Sequence, residues 1–234
     1  MRTLSNTAVT GGEANSDEAR ESGAFLRQGL DIVFCSKSPR WKRPIDFFSS
    51  IILILALSPV MMVIGLLVKL TSRGPVLFLQ YRAGLGGKPF VLYKFRSMYI
   101  DAEARKKELM QFNERNGPVF KMTDDPRVTP LGKWMRKWSL DELPQLFNVL
   151  LNDMSLVGPR PMTVEENDAC RQWHRKRFDV PPGMTGLWQV LARHMCGFDE
   201  QVRIDIEYIG RHSFWLDLKI LFMTIPEVIS RRGK

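Results

Sequence analysis

Cysteine and histidine are both scarce, with three of each in a sequence of 234 residues. Cys35, Cys170 and Cys196 are odd in number, far apart and form no C-x-x-C pair. That excludes a disulfide framework or a zinc cluster and fits a reducing compartment. His174, His194 and His212 show no metal-ligand spacing and are read as structural or surface residues. A nucleotide-binding glycine loop is missing as well. Gly84-Leu85-Gly86-Gly87 is followed by no helical pattern, so it reads as a turn. No nucleic-acid-binding module is recognisable, and the first 38 residues lack the basic–apolar–small order of a secretory signal.

Acidic charge is in deficit: 25 Asp and Glu stand against 34 Lys and Arg, for a net charge of +9. Residues 1–38 carry a net −1, which leaves about +10 on the rest of the chain. A basic body suits polyanionic partners such as anionic lipid headgroups or phosphorylated substrates. Residues 1–38 are rich in small and polar side chains, cannot bury enough surface to offset their ordering entropy, and are expected to form a disordered tail.

Residues 47–70 read FFSSIILILALSPVMMVIGLLVKL, without a charge until Lys69. As one straight helix this stretch would reach ~36 Å, enough to cross a bilayer core. Pro59 stands at its centre, where it removes a backbone donor and frees the carbonyl of Leu55. Ser58 beside it can offer a hydroxyl to the loosened carbonyls. Each half would then be ~16 Å long, about half a bilayer. Arg40, Lys42 and Arg43 precede the stretch, and Lys69, Arg73, Arg82 and Lys88 follow it. A spanning helix gathers its cations on one side. A spanning helix and a re-entrant hairpin both fit this segment.

Further along, residues 129–138 (TPLGKWMRKW) pair Leu131, Trp134, Met135 and Trp138 on one helical face against Lys133, Arg136 and Lys137, with Thr129 as N-cap and Pro130 in the first position. Such a helix suits a bilayer surface or a protein core equally. Residues 76–98 hold two β-prone runs around the glycine turn, which predicts a β-hairpin with Lys94 and Arg96 on one face. Residues 214–229 predict an apolar helix ending at Pro226, in which Asp217 is an isolated acid.

The most unusual stretch is SLDELPQLFNVLLNDMSLVGPRP, residues 139–161. Leu143, Leu146, Phe147, Leu150 and Leu151 recur at helical spacing, and Pro144 must lie in the first turn, so Asp141 and Glu142 are expected at a helix N-terminus. Helix capping accounts for them there. So does chemistry: an ionised carboxylate could attack a phosphorus if arginines and a divalent cation cancelled the repulsion. Arg136 lies shortly before the acids, and Arg160 is held between two prolines, with a planar fork suited to phosphate.

KFRSM (94–98), DDPRVTPLGKWMRKWSLDELPQLFNVL (124–150), MSLVGPRP (154–161), PPGMTGLWQV (181–190) and WLDLKI (215–220) together resemble the bacterial sugar transferase family, monotopic phosphoglycosyl transferases that initiate exopolysaccharide assembly. The resemblance covers about residues 40–232 and points to the short form, without a multi-helix domain in front. It implies a mainly helical α+β fold, membrane-associated and monotopic. Residues 39–73 would form a re-entrant helix-break-helix hairpin bent at Ser58 and Pro59, and residues 74–234 a cytoplasmic catalytic domain with a small β-hairpin and surface amphipathic helices.

The implied reaction passes sugar-1-phosphate from a UDP-sugar to polyprenyl (undecaprenyl) phosphate and releases UMP. Asp141 would be the nucleophile, Glu142 its acidic partner, and Mg2+ would bridge the diphosphate near Asp141. Lys94, Arg136, Arg160 and Arg193 match family cations that handle phosphate or nucleotide, and Asp217 matches a residue needed for activity. The location implied is the cytoplasmic face of the bacterial inner membrane, with membrane lipids and downstream glycosyltransferases as partners, no nucleic acid, and glucose or galactose as the sugar. Pro181-Pro182-Gly183 stands where the family often has Arg-Pro-Gly, and Ala192-Arg193-His194 where it has Gly-Arg-Asn. Arg177 is a candidate replacement for the missing cation. The rival reading is a non-catalytic scaffold that binds anionic lipid through its basic helices, with the acids as caps.

Overall fold

The computed structural model describes residues 38–113, 122, 124–192 and 197–229, apart from the side chains of residues 106 and 107. The expected tail, residues 1–38, falls outside them but for Ser38. The described part is mainly helical with two small sheets.

Helix α1, Lys42–Thr71, holds the apolar stretch and is long and apolar enough to cross a membrane. It does not break into two helices at Ser58 and Pro59, as the sequence suggested. It runs on through Pro59, because the Ser58 hydroxyl donates to the Leu55 carbonyl that the proline leaves without a partner (2.9 Å). One face of α1 is covered along its whole length. Lys42, Asp46, Ser50, Ile64 and Val68 are buried, and Ile54, Leu57 and Met61 pack between them. The other face is bare and apolar, with Leu55, Met62 and Leu70 each about 70% exposed.

Strands β1 (Leu77–Ala83) and β2 (Pro89–Phe95) form the expected antiparallel hairpin, in register from Leu77↔Phe95 to Ala83↔Pro89. Gly86 and Gly87 in its turn have φ of 65° and 74°, which only glycine adopts freely. Helices α2 (Ala102–Leu109) and α3 (Pro130–Lys137) follow, and Thr129 caps α3 as expected, accepting from the Gly132 N–H at 2.9 Å. Met135 and Leu131 of α3 face the core, while Trp134 is half exposed.

The expected long helix after the acids is short: α4 spans Gln145–Leu150. Its buried residues are Gln145, Leu146, Asn148 and Val149, whereas Phe147 and Leu151 are exposed. The cause is Asn148, whose amide accepts from the Tyr93 N–H (3.0 Å) and donates to the Val91 carbonyl (2.7 Å). It completes the open edge of β2 as another strand would and turns α4 to face it. Arg43 of α1 closes the other end of α4 by donating to the Val149 and Leu150 carbonyls.

Strand β3 (Ser155–Val157) pairs in parallel with β5 (Gly183–Thr185), and β4 (Met162–Thr163) joins the end of β1. Helices α5 (Val164–Asp168), α6 (Leu187–Leu191), α7 (Phe198–Arg211) and α8 (Phe214–Ile229) complete the described chain. Helix α8 passes through Pro226 instead of ending there. A main cluster with Leu146, Val149, Met154, Val157, Tyr208, Ile209 and Ile220 forms the core beneath α1.

Candidate active site

The leucines of SLDEL fix where its acids point. Leu140 and Leu143 pack with Phe95, Met135 and with Ile64 and Val68 of α1, while Asp141 and Glu142 between them line a cavity of about 1130 Å³. The acids do not start an α-helix as expected. They occupy a 3₁₀ turn, Leu140–Glu142, ahead of α4. Pro144 has no N–H to give to the Leu140 carbonyl, so the helical ladder cannot reach back across it. The turn closes with a Leu143 to Leu140 bond instead. The cap residues Ser139 and Pro144 make no side-chain cap hydrogen bond, and both acids stand in the first turn of the 3₁₀ segment. Ser139 enters the turn at φ 53°, the left-handed region that non-glycine residues occupy at a cost, and one that recurs at functional sites.

Three cations gather on the two acids. Lys94, at the end of β2, donates to Glu142 at 2.8 Å, and Arg160 reaches the same carboxylate oxygen at 3.5 Å. Arg136 of α3 lines the cavity and is oriented by its Nε donating to the Ser97 hydroxyl (2.9 Å). Asp141 is buried and, among the described residues, forms no ion pair. Burial pushes its pKa up, with Glu142 adding to the rise, while Lys94 and Arg136 oppose it. Burial likewise pushes the Lys94 ammonium down, against the pull of Glu142. The result is a dry carboxylate held between cations that Glu142 occupies only in part, a setting into which phosphate oxygens would bring the balancing charge.

Thus Lys94, Arg136, Asp141, Glu142 and Arg160 come together. Arg193 lies outside the described residues. Ser58 and Pro59 are in the middle of α1. Asp217 does not line the cavity: it is buried near the start of α8, paired with Lys42 of α1 and accepting from the Tyr208 hydroxyl at 2.7 Å. Arg177 does not replace the missing cation either, being buried against Asp205 at 2.6 Å and absent from the cavity wall. Arg96 lies at the cavity beside Lys94, yet one end of it holds the residue that caps α1, donating to the Ser72 carbonyl and hydroxyl at 2.7 Å each.

Two features escaped the sequence reading. Arg82 of β1 lines the cavity near Glu166 (3.9 Å), its pKa lowered to about 10 by burial and then by neighbouring Arg160. Its strand position after Gln80 carries no motif. Asp125 and Arg127 form a buried two-point ion pair on the wall, with contacts of 2.9, 3.2 and 2.7 Å. The DDPR stretch holding them was visible but had no evident task.

No group of three or more His, Cys, Asp or Glu side chains among the described residues could hold a metal ion alone. Magnesium bound with a diphosphate takes only one or two protein carboxylates and completes its shell with phosphate oxygens and water. Asp141, beside the cavity and outside the Lys94–Glu142–Arg160 group, fits that need.

The chain is 48% identical over 161 residues to the galactosyl transferase CpsE of Streptococcus agalactiae, covering 68% of this chain and 36% of that protein. It is 42% identical over 201 residues to the undecaprenyl-phosphate galactose phosphotransferase of Salmonella typhimurium, 82% of this chain and 41% of the other. It is 38% identical over 192 residues to the uncharacterized sugar transferase EpsL of Bacillus subtilis, 82% of this chain and 89% of the other. The chain therefore spans well under half the length of the first two and most of the third. The family described as bacterial sugar transferase matches residues 37–231. With the motif blocks carried on one fold and this match spanning almost all of the chain outside its first residues, the protein belongs to the bacterial sugar transferase family.

Proposed function

We propose that the protein is a phosphoglycosyl transferase that moves sugar-1-phosphate from a UDP-hexose to polyprenyl phosphate, releasing UMP, through a covalent intermediate on Asp141. The observation that carries this reading is the buried carboxylate of Asp141, which forms no ion pair among the described residues, on the cavity wall beside Lys94, Arg136 and Arg160. The names of relatives, glucose and galactose phosphotransferases acting on undecaprenyl phosphate, support the substrate class.

In the first step an Asp141 carboxylate oxygen attacks the sugar-bearing phosphorus. The bond from that phosphorus to the bridging oxygen breaks, and its electron pair leaves with UMP. In the second step a phosphate oxygen of the polyprenyl phosphate attacks the same phosphorus and Asp141 departs, giving the polyprenyl diphospho-sugar. Arg160, fixed by its prolines, and Arg136 bind the equatorial oxygens, while Lys94 neutralises charge at the reacting centre and keeps Glu142 in place. Mg2+, held by Asp141 and the diphosphate, would supply further charge neutralisation. Burial of Asp141 raises its reactivity by stripping water from it.

The place of reaction is the headgroup plane on the cytoplasmic side of the inner membrane. Support comes from α1, whose covered face contacts the same domain near both ends: Lys42, Asp46 and Ser50 at one, Ile64 and Val68 at the other. A helix crossing the bilayer would carry one of those ends away from a polar domain. An unbroken helix lying in one leaflet, its bare face in lipid and its covered face on the domain, leaves both ends with the domain.

The test is a single turnover without lipid acceptor. UMP should appear in an amount equal to enzyme, and intact-mass and peptide analysis should locate a hexose-phosphate on Asp141. An adduct on another residue, or no UMP until lipid is added, would overturn the covalent step. Thiol labelling of cysteines placed at residues 40 and 75 tests the topology, since both should react from the cytoplasmic side.

A further inference from the structure

A Pro-Arg-Pro segment offers three carbonyls to the fold but only one backbone donor, because neither proline has an N–H. Outside donors must hold it, and each of its carbonyls has one. The Gly183 N–H donates to the Pro159 carbonyl at 2.8 Å. Arg177 Nη2 donates to the Arg160 carbonyl at 3.1 Å, and Arg82 Nη1 to the Pro161 carbonyl at 3.2 Å.

Of these donors, Arg177 is the most expensive to keep. It lies in the 3₁₀ segment Gln172–Asp179, 4% exposed, and its charge is met by Asp205 of α7, 1% exposed, at 2.6 Å. Apolar side chains of similar volume usually stabilise a core as well as a buried ion pair does. Stability alone therefore does not account for Arg177 and Asp205. The bond to the Arg160 carbonyl does, because the Arg160 side chain leads from that backbone to Glu142.

We infer that the Arg177–Asp205 pair is a positioning device for the reaction, setting the backbone of Arg160 so that its guanidinium meets the transferring phosphate. This rests on the phosphate role proposed above for Arg160. Arg177 itself touches no substrate: Asp205 fixes its guanidinium, Nη2 fixes the Arg160 carbonyl, and Nη1 rests on the Met162 sulfur two residues on.

The experiment is a double-mutant cycle on the full chain in detergent, reading kcat/KM for UMP release with polyprenyl phosphate and UDP-glucose or UDP-galactose, whichever is turned over. The four proteins are the wild type, Arg160→Ala, the paired Arg177→Met/Asp205→Leu, and their combination. The paired change leaves no orphaned charge, so the thermal midpoint should stay near that of the wild type. Its kcat/KM should fall about tenfold to a hundredfold, as a slight misplacement of a binding group does. In the Arg160→Ala background the same change should cost nothing further, because the group it positions is gone.

An equal loss in both backgrounds would make the pair merely structural and overturn the inference, as would full activity in the paired variant. If the paired variant does not fold, Arg177→Lys, which keeps Asp205 compensated, replaces it in the cycle with the same two outcomes. Undiminished turnover by Arg160→Ala alone would instead overturn the phosphate role and this inference with it.

Discussion

Two buried charge clusters hold an aspartate that looks out of place in the sequence, and the fold treats them differently. At the root of α1, Asp217 is matched: Lys42 meets one carboxylate oxygen and the Tyr208 hydroxyl the other, while Asp46 nearby accepts from the Leu156 N–H at 3.1 Å. At the cavity, Lys94 and Arg160 both converge on one oxygen of Glu142, and Asp141 has no ion pair among the described residues. Folding alone gives each acid of the first cluster a hydrogen-bond partner. The second is left with three cations on two acids, a balance that a bound phosphate would complete. A buried acid among apolar neighbours is therefore not itself a mark of chemistry. What separates the two is whether the protein's own groups use up its charge.

Asp141→Asn is the sharpest way to break that contrast. It keeps shape and removes the carboxylate charge, so on the proposed reaction UMP release should fall by at least about 10³-fold while the thermal midpoint holds or rises. A small loss would place Asp141 with the structural acids. Asp217→Ala should act the other way, leaving Lys42 buried without its partner and lowering stability by about 3–5 kcal/mol. The paired Lys42→Met/Asp217→Leu should recover most of it, as read by denaturant unfolding. Were Asp217→Ala to keep its stability and lose turnover, Asp217 would belong with the substrate groups. Lys94→Ala should have an intermediate effect, about a hundredfold on kcat/KM, because Arg160 still compensates Glu142.

Much of the site was legible because its logic is local. The acids precede a run of leucines at helical spacing and prolines flank Arg160, so both stood out locally, and the family resemblance then gave them roles. The β-hairpin and the Thr129 cap were equally plain, since glycine turns and N-caps depend on a few adjacent residues. What failed depended on distant partners. The Asn148 amide pairs with β2 more than fifty residues away in sequence, and this rotated α4 off its apparent apolar face. Arg177 looked like a spare cation until Asp205 and the Arg160 carbonyl claimed it. The Ser58–Pro59 break was half right: the proline frees the Leu55 carbonyl, but the serine next to it restores a partner, and the helix continues.

The smallest expected effect concerns Asp205, which burial pushes up to about 6 against the opposing pull of Arg177. In the unfolded chain an aspartate titrates near ~3.9, so between these values the folded protein holds the extra proton. Stability from this group is then fully present below about 4 and is lost as pH rises through about 6. The burial of Asp141 acts in the same direction, so the wild-type slope mixes the two. Comparing wild type with Arg177→Met/Asp205→Leu in denaturant unfolding at pH 5 and pH 7 isolates Asp205. The variant should lose less stability between the two, and equal losses would place the Asp205 pKa in the folded protein near its unfolded value. The ion pair that bonds Arg160 needs Asp205 ionised, so the folded protein at neutral pH gives up some stability to keep it. Burial acts on Asp141 at the cavity in the same way, so both acids are charged in the dry interior at a cost to the fold.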